Sequence, residues 1–245
     1  MNIIKFFEFE IVEDYFSFFC HIFNQDLKDL SLSHSFYNRL KRYKEISGYE
    51  VNGKRFYIKK YFDHFEEAES EWKNLFLLQS LGFSIPHPFF KRKNPNKIEI
   101  ATFELKGKSL SKLLSKNKEI QEKLLYKLAE LLSTLHKKGL YYQDCYLNHF
   151  FWDEKTETLG FLDVSRVLSN PRFSFKYRIK DLGQLGYSFE EYLGEKAKPF
   201  FQNFLSYYSD LSGIELKWFI KFLIKFKIWL IRRKTERARK KGKKL

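Results

Sequence analysis

Apolar and polar positions along the chain fall into two regimes. Through the first hundred residues they alternate or come in short β-prone bursts. "GYEV" and "RFYIKKY" flank the dipeptide "NG", so residues 44–62 read as a hairpin closed by a tight turn. "PFFKR" and "IEIATFEL" read as a second strand pair. Between the pairs, residues 66–81 carry Trp72, Leu75, Phe76 and Leu81 at helical spacing, with Gly82 as a stop. This region is expected to be mostly sheet with one helix. After "LKGKSL" the period changes. "SLSKLLSKN" and "KEIQEKLLYKLAELLSTLHKKG" read as helices, the second with Leu124, Leu125, Leu128, Leu131, Leu132 and Leu135 on one broad face and Gly139 at its end. A short hairpin follows, its apolar runs "HFFW" and "LGFLDV" separated by "DEKTET". From about Ile179 onward the pattern is helical. The expectation is an α+β chain of two lobes, sheet-rich over 1–104 and helical over 105–231, then a basic tail over 232–245.

Composition refines this picture. The chain has 245 residues, enough to bury a sizeable core. Lysine and arginine number 45 against 30 acidic residues, a net charge of +15. Much of the excess lies in the ending "RRKTERARKKGKKL", where nine basic residues face only Glu236. Such a tail seeks phosphate, on nucleic acid or on anionic lipid. Cys20 and Cys145 alone make neither a disulfide framework nor a metal knuckle, which fits a reducing compartment. Glu8, Glu10, Glu13 and Asp14 interrupt any signal-peptide core. The most apolar stretch, residues 214–233, contains Lys217, Lys221, Lys225 and Lys227, so a membrane-spanning reading is rejected and a cytoplasmic one expected.

The chemistry concentrates around "YYQDCYLNHFFWDEKTETLGFLDVSRV", where Asp144 precedes the hairpin and Asp163 stands at its end. This arrangement resembles the protein-kinase-like fold, whose catalytic loop is written H-R-D-x-x-x-x-N. Asp144 stands at the Asp of that loop and His149 at its Asn; Asp163 stands at the Asp of D-F-G. The resemblance implies that Asp144 meets the substrate hydroxyl while Asp163, with His149, holds Mg²⁺ on the phosphates of ATP. In "FYIKK", Lys59 stands where the kinase lysine grips the α/β-phosphates, and Lys60 points to the other face. Glu71 would orient Lys59, with Glu67 as second choice. The backbone of Phe103, Glu104 and Leu105, joining the lobes, would receive the adenine. The hairpin around Gly48 and Gly53 lacks a G-x-G-x-x-G loop.

Within that superfamily "DCYLNHF" resembles the D-C-Y-x-x-H-F signature of the lipopolysaccharide core kinases, which phosphorylate heptose or Kdo sugars of the inner core. Asp144, Cys145, Tyr146, His149 and Phe150 match. "FLDVSRV" is similar to the family's I-D-L-x-R segment through Asp163 and Arg166, and "KDLGQLGYS" to its K-D-L-x-x-L segment through Lys180, Asp181, Leu182 and Leu185. "SEWKNLFLLQSLGFSIPHP" resembles its helix exit through Glu71, Trp72, Leu78, Leu81, Gly82, Pro86 and Pro88. The resemblance spans roughly residues 40–245. It implies a phosphotransferase with an alcohol acceptor, a sugar of the lipopolysaccharide core or a lipid A-core precursor. The enzyme would sit at the inner face of the bacterial inner membrane, its basic C-terminal segment on anionic lipid; nucleic acid is not expected as a partner. The family's loop histidine is Tyr142 here, so bracing of the loop is expected from elsewhere. Asp181 reads as a structural anchor, and Cys145 as packed rather than nucleophilic. Two rivals remain: a small RIO-like protein Ser/Thr kinase, and an inactive kinase-like module binding membrane or nucleic acid through its tail. The D-C-Y-x-x-H-F match argues against the first. Lys59, Asp144 and Asp163 argue against the second, whereas Tyr142 and the missing glycine loop favour it.

Overall fold

A computed structural model describes residues 1–23, 35–41, 43–116 and 120–241. The chain divides into two compact units, residues 1–105 and residues from 106 onward. In the first, strands β1 (Ile3–Phe6), β2 (Phe9–Val12), β3 (Tyr37–Lys41), β4 (Lys44–Val51), β5 (Lys54–Tyr61), β6 (Pro88–Asn94) and β7 (Lys97–Phe103) form one antiparallel sheet in the order β1-β2-β6-β7-β5-β4-β3. Helix α1 (Phe16–Ile22) follows β2, and α2 (Phe65–Ser80) follows β5.

The β4–β5 hairpin closes where the sequence predicts it, with Val51 opposite Lys54. Asn52 and Gly53 both take positive φ, 50° and 72°, as a two-residue turn matching strand twist demands. Alternation along β5 then sorts its side chains. Phe56 and Ile58 enter an aromatic core with Phe9, Ile11, Phe19, Ile22, Phe89 and Phe90. Tyr57, Lys59 and Tyr61 take the other face, and Lys59 and Tyr61 there meet α2 through Glu71.

Helix α1 corrects the expectation of a single helix in this region. Its residues, "FSFFCHI", are strand-prone by type, but Phe19 and Ile22, three apart, are both fully buried in the aromatic cluster. Tertiary burial overrides local propensity here.

The second unit holds β8 (Lys108–Ser109), α3 (Leu110–Lys116), α4 (Gln121–Lys137), β9 (Leu140–Tyr141), β10 (Phe150–Asp153), β11 (Thr158–Phe161), β12 (Leu168–Ser169), α5 (Ser174–Leu193), α6 (Ala197–Ser212) and α7 (Trp218–Lys240). Two small sheets, β11-β10-β8 and β12-β9, frame the loops around Asp144 and Asp163. The leucine stripe of α4 buries Leu124, Leu125, Leu128, Leu132 and Leu135; each contributes about 1.5–3 kcal/mol by leaving water. Helix α6 packs on α4 and buries Phe204 and Tyr208, and α5, packed on α6, buries Leu182, Leu185 and Phe189. Residues 117–119, within the predicted helical stretches, lie outside the described residues, as do 242–245 of the tail.

Helix α5 begins at Ser174, ahead of the expected Ile179. Its first turn is exposed, so no apolar period marks it; Phe175 instead stacks on Phe219 of α7. Helix α7 runs through the basic segment to Lys240, so residue 232 marks no change in secondary structure. Arginine, lysine and alanine favour helix, and Arg232 and Arg239 reach Glu190 and Glu191 of α5 at 2.7 and 2.5 Å.

Candidate functional site

In the first unit, Lys59 Nζ lies 2.5 Å from Glu71 Oε1, and both side chains are largely buried. The other carboxylate oxygen of Glu71 accepts the Tyr61 hydroxyl. Glu71 is thus held from both sides, by the two residues of β5 that share its face. Glu67, the second choice for the partner of Lys59, is engaged elsewhere: Lys44 Nζ lies 3.3 Å from its Oε1 and 3.4 Å from the Tyr61 hydroxyl. Lys60, on the opposite face of β5, sits 3.7 Å from Glu45. Sequence reasoning missed Tyr61 and Lys44, although the period of two from Lys59 points to Tyr61. At the end of β7 the amides of Phe103 and Glu104 donate to the carbonyls of His87 and Arg55, each at 2.9 Å.

In the second unit the construction starts from Asp181 of α5, a fully buried carboxylate. It accepts the backbone amides of Tyr142 (2.8 Å) and Gln143 (2.7 Å), and the Gln143 side chain at 3.2 Å. His136 Nε2, from the end of α4, also lies 3.2 Å away. Two amide donors in a buried setting fix the backbone just ahead of Asp144, where Gln143 takes a positive φ of 67°. Gln184, one turn along α5, donates to the Gln143 carbonyl at 3.0 Å and accepts the Cys145 amide at 3.3 Å.

The loop is braced from elsewhere, by Asp181 and Gln184, as expected, and Tyr142 adds to it: the buried Tyr142 hydroxyl donates to the carbonyl of Leu162, the residue before Asp163. Burial, then the nearby carboxylates of Asp163 and Asp144, push its hydroxyl well above the usual tyrosine range, so it keeps the proton it donates. One side chain thereby ties the loop carrying Asp144 to the loop carrying Asp163, which itself takes left-handed backbone at φ 50°. Cys145 is fully buried, and burial raises its thiol well above the usual range, which keeps it protonated and unreactive.

These constraints bring Asp144, His149 and Asp163 together. One donor atom from each lies within 4.8 Å of the others, the one such cluster of three metal-ligating side chains among the described residues. His149 Nδ1 is 2.9 Å from the Asp144 carbonyl oxygen, which can only accept. Nδ1 therefore carries a proton, and Nε2 is the ring nitrogen whose lone pair can face a cation. That nitrogen lies 3.8 Å from Asp163 Oδ2, beyond hydrogen-bond reach. Ligands about 2.1 Å from one small cation stand at such separations. Asp144 Oδ1 is 3.8 Å from Arg166 Nη1. Burial raises the Asp144 carboxyl, His149 and Arg166 oppose that, Asp163 adds to it, and Lys180 opposes it again. Lys59, Glu71, Phe103, Glu104 and Leu105 belong to the first unit; Asp144, His149 and Asp163 belong to the second.

Comparison with known proteins gives a family and a fold. The family model described as the lipopolysaccharide kinase (Kdo/WaaP) family matches residues 49–208. Among solved structures, the chain is similar to one described as WaaP in complex with acyl carrier protein. The TM-score is 0.60 and the identity 22%, over 84% of this chain and 89% of that one. It is also similar to a type VIII aminoglycoside-3'-phosphotransferase, at TM-score 0.60 and 12% identity over 79% and 91%. A third similar structure is aminoglycoside phosphotransferase APH(3'')-Id from Streptomyces rimosus, at TM-score 0.54 and 12% identity over 77% and 89%. These likenesses establish the two-part kinase-like α+β fold. No curated protein matches the chain.

Proposed function

The chain belongs to the lipopolysaccharide kinase (Kdo/WaaP) family, and on that premise we propose that it transfers the γ-phosphate of ATP to a hydroxyl of a heptose or Kdo sugar in the lipopolysaccharide inner core. The observation that carries this reading is the Asp144–His149–Asp163 cluster lying inside the matched segment. The Asp163 carboxylate and the His149 imidazole suit a divalent cation, and the carboxylate oxygens suit Mg²⁺ best. Asp163 and His149 would hold it; when bound, it neutralises charge on the transferring phosphate. Asp144 would accept or orient the acceptor hydroxyl proton. Lys59 would bind the α/β-phosphates, kept in place by Glu71, which Tyr61 holds in turn. The adenine would lie along the Phe103–Leu105 backbone. There the Phe103 and Glu104 amides already have partners, which leaves the Leu105 amide as donor. Positioning and charge neutralisation supply the rate in such a transfer.

An anionic membrane surface is the proposed place of work, at the cytoplasmic face of the inner membrane. Among the described residues no helix is long and apolar enough to cross a membrane. Helix α7 instead exposes Trp218, Phe222, Phe226 and Trp229 among lysines and arginines, the composition of a helix lying at a lipid interface.

The deciding experiment is mass spectrometry of lipopolysaccharide from cells with and without this protein, paired with transfer from labelled ATP to delipidated core sugar. The expected result is one phosphate missing from the core in the deletion strain and labelled sugar in vitro. Unchanged lipopolysaccharide together with labelling of protein substrates would replace the sugar-kinase reading with the protein-kinase one.

A further inference from the structure

We propose that Lys44 and Tyr61 are positioning residues for the nucleotide: together they hold Glu71 in the orientation that presents Lys59 to the phosphates. This rests on the kinase reading and adds to it a buried relay that runs from β4 through β5 to α2.

The relay starts from the register of the sheet. Lys44, the first residue of β4, lies directly opposite Tyr61 of β5. The two side chains therefore share one face, the face that carries Lys59. Both residues are buried, Tyr61 fully. Lys44 Nζ lies 3.4 Å from the Tyr61 hydroxyl oxygen and 4.8 Å from the centre of its ring. It also lies 3.3 Å from Glu67 Oε1, while the Tyr43 hydroxyl reaches the other oxygen of Glu67 at 3.5 Å. An ammonium group donates and cannot accept. The Tyr61 oxygen therefore accepts from Lys44, and its single proton goes to Glu71. Lys59 meets the other oxygen of Glu71 at 2.5 Å. Each link thus has one direction: Lys44 donates to Tyr61, Tyr61 donates to Glu71, and Lys59 donates to Glu71 from its other side.

Glu67 and Glu71 stand one turn apart on α2, so both carboxylates look toward the same strands. Lys44 separates their tasks. It takes up Glu67, which leaves Glu71 to Lys59, and it fixes the hydroxyl that holds the second oxygen of Glu71. A buried ammonium costs stability, and a methionine would fill the same space without a charge. What the charge adds is direction. With the relay broken, Glu71 is free to turn, and the ammonium that should meet phosphate is no longer fixed. The segment proposed to receive the adenine lies apart from this. Phe103 pairs with Phe56, and Phe56 is about 17 Å along β5 from Tyr61. The relay should therefore act on the phosphates and not on the base.

The test is calorimetric titration of the full chain with a non-hydrolysable ATP analogue and Mg²⁺, and separately with adenosine, which has no phosphates. Tyr61→Phe removes only the hydroxyl, and Lys44→Met removes the charge and its donors but keeps the length. Each should weaken binding of the ATP analogue by about tenfold or more, the worth of a hydrogen bond to a charged group. Adenosine affinity should stay as in wild type. In a Glu71→Gln background, where the end of the relay is already altered, either change should weaken the analogue by less than about twofold further. Wild-type affinity for the analogue in either variant overturns the proposal. An equal loss of both ligands also overturns it, because the two residues would then support only the fold. So does the full loss in the Glu71→Gln background, because they would then act by another route. Any of these results, with wild type still transferring phosphate, leaves the kinase reading standing. A wild type that binds no nucleotide removes both.

Discussion

Asp144 and Asp163 carry the same functional group in different surroundings, and their alanine variants should fail differently. Asp144 is positioned by the amides anchored on Asp181 and lies beside Arg166. Asp163 is set by left-handed backbone and by the hydroxyl of Tyr142 on the preceding carbonyl. If Asp144 is the base, Asp144→Ala keeps Mg²⁺–ATP affinity and loses turnover by roughly 10²-fold or more. Asp163→Ala loses metal-dependent nucleotide binding as well. Equilibrium binding and single-turnover rates on both variants check this, and equal, mild losses in both would overturn the assignment. The letters D-C-Y-x-x-H-F and F-L-D were enough to single out Asp144, His149 and Asp163, because short loops keep residues near in sequence near in space. The role of Tyr142 was not legible. A hydroxyl that bonds a carbonyl 20 residues away depends on where the hairpin returns, and no local spacing encodes that.

At the level of the element, β5 makes the sharpest claim, because one residue of slip exchanges its faces. Its register pairs Lys59 with Ile100 of β7 and Ile46 of β4. Lys59→Ala should weaken productive ATP binding. Lys60→Ala loses only a part-exposed pair with Glu45, worth about 0–1 kcal/mol. Kd and KM for ATP, with Tm for each variant, measure the contrast; a reversed result means the functional lysine is Lys60. The hairpin was legible because Asn-Gly specifies its turn, and α4 because five leucines on one stripe are buried. The elements that sequence reading missed or misplaced share a physical cause. Helix α1 is short and aromatic, so its period is hidden within a strand-prone composition, and the first turn of α5 buries too little to show one. The helical continuation of α7 through the basic segment owes more to ion pairs with α5 than to any apolar face.

On the scale of the whole molecule, the net charge of +15 needs a place to act. Helix α7 offers one, but its basic residues are not equivalent. Arg232 and Arg239 are taken up by Glu190 and Glu191. Removing residues 232–245, the simplest test of the tail, would therefore also remove two ties that hold α7 to α5. Substitutions that spare those ties are cleaner. Arg233, Lys234 and Arg237 are exposed and none of them pairs with a carboxylate among the described residues. Arg233 lies 5.2 Å over the ring of the exposed Trp229, which extends the row of stacked rings Phe222, Phe226 and Trp229. Each basic residue near an anionic surface contributes about 1 kcal/mol. Changing these three to glutamine should then weaken binding to anionic vesicles by roughly 10²-fold, with little change on zwitterionic vesicles. Because surface charges are screened beyond about 8 Å at physiological salt, wild-type binding should also fall as salt rises. Co-sedimentation with vesicles of both compositions measures these effects. Transfer to a short, water-soluble core sugar should persist in the triple variant, since none of the three residues belongs to the proposed catalytic set. If soluble transfer falls along with vesicle binding, this stretch of α7 supports the fold rather than the membrane. If neither changes and binding to RNA is lost instead, the basic segment serves nucleic acid and the membrane reading fails.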